Sequence, residues 1–176
     1  MGEKCYSIQD LLQMEICILK NLKYELLTAS PYQFLTIIIQ FLNENDKEDK
    51  EVKKDEDKNE DKDTYNNYNK DLIQRTTNLA MYILELTLIE YKMLKYPCSV
   101  KACSAVYISR KLLKCKYAWS ADLKSVFPVR DGVIRSCAKE ITDLINIANK
   151  KDYKNCKRKY SSEQYLNVRS IVQNFE

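Results

Sequence analysis

The sequence predicts an all-α fold: a helical bundle preceded by one further helix and interrupted by an acidic, low-complexity insertion. Three observations predict it. Apolar residues recur at spacings of three and four through almost the whole chain, and the alternating pattern of half-buried strands is missing. Only two glycines occur, Gly2 and Gly132, so the positive-φ turns that tight hairpins require have almost no residue to form them. Residues 44–70, finally, hold one aliphatic side chain, Val52, among 11 acidic residues and 7 lysines.

The elements follow in order. Residues 8–24 place Leu11, Met14, Ile18 and Leu22 on one stripe, widened by Leu12, Ile16 and Leu19. Ser30-Pro31 supplies an N-cap and a proline at the first helical position. The helix that starts there is apolar almost all round to Leu42, through Phe34, Leu35, Ile37, Ile38, Ile39 and Phe41, which predicts a central, buried position. Segment 44–70 cannot bury enough apolar surface to offset the entropy of ordering it and is expected to be a disordered insertion. An isolated charged helix is the competing reading, disfavoured by its many Asp and Asn residues.

A second buried helix is expected from Leu72 to Leu94, with Leu79, Ile83, Leu86 and Tyr91 inward. Pro97 breaks the chain, and Cys98 or Ser99 opens a helix to Leu113 whose small Ala102, Cys103, Ala105 and Ser109 admit a close neighbour. Ser120 caps a short helix carrying Leu123 and Val126, stopped by Pro128. Asp131 caps the last long helix, with Ile134, Cys137, Ile141, Leu144, Ile145 and Ala148 as its apolar face.

Composition narrows the function. Without a single histidine, the commonest general base, nucleophile partner and metal ligand are gone, and two glycines make neither a phosphate-cradling loop nor a nucleophile elbow. The seven cysteines form no C-x-x-C pair, so no metal centre is expected; their odd number, with no secretory signal, predicts a reducing compartment. The start of the chain lacks the myristoylation pattern, and no apolar run reaches transmembrane length, so no membrane contact is expected. No catalytic, cofactor or small-molecule site is predicted. Outside segment 44–70, which carries −4, the chain holds 22 basic against 14 acidic residues, or +8. Many of these charges stand in Lys150, Lys151, Lys154, Lys157, Arg158 and Lys159, which read better as a solvated surface at a helix end than as a contact for an acidic protein or nucleic acid.

Met14-Glu15, Ser30-Pro31 with Gln33-Phe34-Leu35, Leu79-Ala80 with Glu85-Leu86, Tyr96-Pro97-Cys98-Ser99, Trp119 to Cys137, and Lys159-Tyr160 with Tyr165 follow one another in an order that resembles the cyclin family, A- and B-type cyclins in particular. The stretch from Tyr6 to Leu26, with its Met14-Glu15 pair, is similar to the last helix of the first cyclin box. Ser30-Pro31-Tyr32-Gln33-Phe34-Leu35 resembles the opening of the second box, and Leu79-Ala80 through Glu85-Leu86-Thr87-Leu88 its Leu-Ala-x-x-x-x-Glu-Leu-x-Leu helix. Tyr96-Pro97-Cys98-Ser99 with Ala102 and Ala105 resembles the alanine-rich helix that follows. Trp119, Leu123, Ile134 and Cys137 keep the family's Trp-to-Cys spacing. Lys159-Tyr160, Tyr165 and Val168 resemble its terminal tail. Two departures stand out: Pro128-Val129 replaces the usual Gly-Tyr, and the acidic segment lengthens one loop, which loop-closure entropy tolerates.

This resemblance implies residues 1–27 as the end of a first cyclin box and 28–176 as the C-terminal box, with insertion 44–70. It implies a regulatory protein of nucleus or cytoplasm that binds and modulates a cyclin-dependent protein kinase in cell-cycle control. Most of the first box has no counterpart, so the family's kinase-gripping Lys and Glu transfer to no residue here. The chain is either a fragment or a protein that begins at Met1. The surviving contact surface would be the start of helix 8–24, with Ile8, Gln9 and Leu12, unless Ile8 and Leu12 pack against the second box instead. Two alternatives stand beside kinase control: a non-activating protein-binding scaffold, and a cyclin-fold module working in transcription, which a contiguous Lys/Arg face would favour.

Overall fold

The computed structural model describes residues 6–45, 62–150 and 153–173, and among them every regular element is a helix. These are α1 (Ile8–Asn21), α2 (Pro31–Asn45), α3 (Lys62–Ile89), α4 (Cys98–Leu112), α5 (Ala121–Val126), α6 (Asp131–Lys150), α7 (Lys154–Tyr160) and α8 (Arg169–Gln173), with 3₁₀ turns at Tyr91–Lys95 and Glu163–Tyr165.

Local chemistry sets most of the boundaries. Ser7 and Asp10 form a reciprocal capping box on α1: the Asp10 amide donates to Ser7 Oγ at 3.1 Å, and the Ser7 amide to Asp10 Oδ2 at 2.8 Å. Ser30 and Gln33 do the same for α2: the Gln33 amide donates to Ser30 Oγ at 3.3 Å, and the Ser30 amide to Gln33 Oε1 at 2.8 Å. Ser120 Oγ accepts from the Leu123 amide to cap α5, and Phe127, forced out of the helical region by Pro128, ends it. α1 and α4 finish in the left-handed region without glycine, at Lys23 and Tyr24 (φ 50 and 58) and at Lys114 (φ 58). There the Tyr24 amide reaches Leu19 O and the Cys115 amide reaches Arg110 O, satisfying carbonyls that each helix end would leave open.

The bundle is built around α4, which packs against α2, α3 and α6. Every residue of α4 from Val100 to Arg110 is buried except Tyr107. Ala102, Cys103, Ala105 and Ser109 are all inside, and such small side chains let three helices approach one axis. The central position expected for α2 therefore belongs to α4. α2 is one-sided, burying Leu35, Ile38 and Leu42 while Ile37 stays 54% exposed. α6 buries all six residues of its predicted face.

α3 differs from expectation at both ends. Leu79, Ile83 and Leu86 are buried as predicted. The helix ends at Ile89, however, and Glu90 is extended, so the 3₁₀ turn after it aims Met93 inward and leaves Tyr91 82% exposed. At its start α3 reaches back to Lys62, and α2 runs on to Asn45, so helix enters both ends of segment 44–70. Extending a nucleated helix is far easier than starting one, and the Asp71–Arg75 pair at i,i+4 (2.7 Å) supports its solvated part. Residues 46–61 of the predicted insertion lie outside the described residues.

Candidate protein-interaction site

α1 carries the residues that the sequence singled out. With about 3.6 residues per turn, Ile8, Leu11, Leu12, Ile18, Leu19 and Leu22 share one broad face that has Glu15 at its middle and Gln13, Cys17 and Asn21 opposite. None of the fourteen residues of α1 is buried. Ile8 is 77% and Leu12 53% exposed, so packing against the bundle does not account for them. Gln9 flanks the same face and is exposed. Ile8 and Leu12, one turn apart, thus form an open apolar ridge at the capped end of α1, joined to the bundle by an exposed connection over 22–29.

The terminal segment turns out to be a clasp on α3. Glu85, on the side of α3 facing α7, accepts from Tyr160 Oη at 2.7 Å, pairs with Lys159 and takes the Cys156 thiol at 3.8 Å. Tyr160 is fully buried between Tyr82 and Tyr165, with ring centroids 5.2 and 4.8 Å away, and Lys159 Nζ sits over both the Tyr160 and Tyr165 rings. Burial, then the Glu85 carboxylate, push the Tyr160 phenol well above its ordinary range. The same two causes, burial first, push the Cys156 thiol up to about 11. A thiol so protonated is a poor nucleophile, and the cluster reads as a structural lock.

Val168 and Val172 complete the clasp from within the core, and Asn149 Nδ2 donates to Val172 O at 3.3 Å. Of the basic stretch expected to be solvated, Lys159 is committed to Glu85 and Lys157 reaches Asn149 O, while Lys150 and Arg158 are exposed. The motif pattern carried the signal for this clasp in Glu85 and the Lys159-Tyr160 pair, but nothing in linear sequence says that they meet. Between the end of α3 and α7 runs a shallow groove of about 810 Å³ lined by Leu88, Ile89, Tyr153 and Cys156. Among the described residues no three acidic or thiol side chains gather as a metal site would need, and no helix is long and apolar enough to cross a membrane.

Residues 29–174, from just before the cap of α2 to the last residues after α8, match the family model of the cyclin C-terminal domain. The chain belongs to the cyclin family. Curated relatives agree. It is 28% identical over 162 residues to "Cyclin-B1-5" of Oryza sativa subsp. japonica, covering 92% of this chain and 30% of that protein. It is 29% identical over 164 residues to "Cyclin-A1-2" of Arabidopsis thaliana, covering 93% and 32%. A "G2/mitotic-specific cyclin-B" of Dictyostelium discoideum is 28% identical over 98 residues, 55% of this chain and 22% of that protein. This cyclin chain thus spans about a third or less of the length of these relatives, and both A- and B-type cyclins are among its similar proteins.

Proposed function

We propose that this chain is a regulatory, non-catalytic cyclin that binds and modulates a cyclin-dependent serine/threonine protein kinase in cell-cycle control, in nucleus or cytoplasm. The observation that supports this most is the open ridge of α1, placed immediately before a matched cyclin domain. An apolar helix face left in water is unfavourable, and covering Ile8 or Leu12 yields roughly 1.5–3 kcal/mol each. The kinase supplies the cover. Its mobile regulatory helix docks on Ile8 and Leu12, with Gln9 supplying hydrogen bonds at the rim. Held there, that helix keeps its Glu on the catalytic Lys and biases the activation loop towards order. The cyclin moves no proton and forms no bond in this scheme; it shifts a kinase equilibrium through buried area.

The test is retention of cyclin-dependent kinases on the immobilised 176-residue chain, with histone phosphorylation assayed on the retained fraction. Retention with activity is the expected result, lost in Leu12→Asp. Retention without activity would favour the scaffold reading, and no retention would remove kinase control.

A further inference from the structure

α4, α5 and α6 meet along a second surface, unrelated to α1. Two adjoining cavities lie there. One, of about 200 Å³, has Lys116, Trp119, Lys124 and Asp131 in its wall. The other, of about 260 Å³, has Lys111, Leu112, Ala138 and Lys139. Tyr107 and Arg135 line both and join them into one groove.

The charge of this groove is lopsided. Five cations line it against one carboxylate, Asp131, which Lys124 already holds at 2.8 Å. Lys111, Lys116, Arg135 and Lys139 are exposed and enter no ion pair among the described residues. Arg135 and Lys139 stand at i,i+4 on α6, a like-charge spacing that weakens a helix. Behind the cations the groove is apolar, floored by buried Ile108, Ile134 and Ala138. Trp119, 8% exposed, stands in its wall with Nε1 buried and without an acceptor.

We propose that this groove docks an acidic peptide segment of a partner protein. Its Asp and Glu carboxylates lie on Arg135, Lys139, Lys111 and Lys116, and one apolar side chain enters a cavity beside Tyr107. Charge complementarity selects the occupant. The cavity sizes and apolar floor choose between acidic partners: each volume suits one peptide side chain. Of the rings lining the groove only Tyr117 is open, 47% exposed with Lys116 Nζ over its face, while Tyr107 is half-buried and Trp119 buried; single-stranded nucleic acid uses successive stacking faces instead. The docking is independent of the α1 ridge and holds whether or not a kinase binds there.

The test uses the full 176-residue chain and a fluorescein-labelled peptide of six glutamates around one central phenylalanine, read by anisotropy. Saturable binding is expected, weakening from about 50 to about 300 mM salt. It should fall by about tenfold or more in R135E/K139E, whose groove charge is reversed, and stay within about twofold in K92E/R158E, which makes the same net change elsewhere. Replacing the phenylalanine of the peptide by serine should weaken it as well. Circular dichroism melts establish that the variants fold; if R135E/K139E does not, K111Q/K116Q repeats the test from the other wall. Absent saturation, or equal losses in both double-glutamate variants, would overturn the proposal. So would a short DNA duplex that binds more tightly than the peptide and is lost in R135E/K139E, which would assign the groove to nucleic acid.

Discussion

At the scale of single residues, the terminal clasp and the core of α4 together make a pH prediction. Burial raises the thiols of Cys103 and Cys156 from 9.0 to about 11. It also raises the phenols of Tyr82 and Tyr160. A group whose folded pKa is raised contributes its full stability below the unfolded value and loses it as pH climbs towards the folded one. The unfolded chain therefore sheds protons first, from pH 9 for the thiols and pH 10 for the phenols, and urea midpoints should fall steadily above pH 9. Tyr160→Phe should cost about 1–2 kcal/mol at neutral pH, through the lost hydrogen bond to Glu85, yet flatten the decline above pH 10. Lys114 gives the opposite case. Its φ of 58° strains a side chain by about 1–2 kcal/mol, whereas glycine adds roughly 0.5–1 kcal/mol of chain entropy to the unfolded state, so Lys114→Gly should raise stability by about 0.5 kcal/mol in thermal melts.

At the scale of elements, what the sequence made legible was whatever local chemistry encodes. Ser30-Pro31, Pro97, Ser120 and Pro128 mark their boundaries through caps and restricted dihedrals that act within a few residues. The buried face of α6 was equally plain, because one strong stripe admits one orientation. Tyr91 was misplaced because a single extended residue, Glu90, resets the helical register, and no propensity argument sees that. The central position expected for α2 failed for a related reason: greasy all-round composition looks central, but closeness of approach is decided by small side chains, which α4 supplies. α7 and α8 are short and hold few apolar residues each, so they carry little periodic signal; tertiary contacts of Tyr160, Val168 and Val172 hold them. α1 was legible as a helix and as a surface, and its exposed connection makes a prediction of its own. Limited trypsin digestion should cut after Lys23, in an exposed, left-handed turn, and so release α1 from the bundle.

At the scale of the whole molecule, charge is distributed otherwise than its linear order suggests. The C-terminal run of lysines looks like the basic surface, yet part of it is spent on Glu85 and on Asn149 O. The contiguous cationic face lies instead on α4, α5 and α6 and their connections, assembled from Lys111, Lys116, Lys124, Arg135 and Lys139. Their separation along the chain hides the face until the helices pack. The ridge of α1 and this groove are therefore two distinct surfaces on one chain, with the connection over 22–29 between the first and the bundle. Even drawn out fully, the eight residues of that connection would reach at most about 29 Å. Two partners held at its two sides would meet as tethered reactants, at an effective concentration in the millimolar range. On that arithmetic a weak acidic docking segment suffices: the tether makes the second encounter intramolecular, so neither surface has to bind tightly by itself.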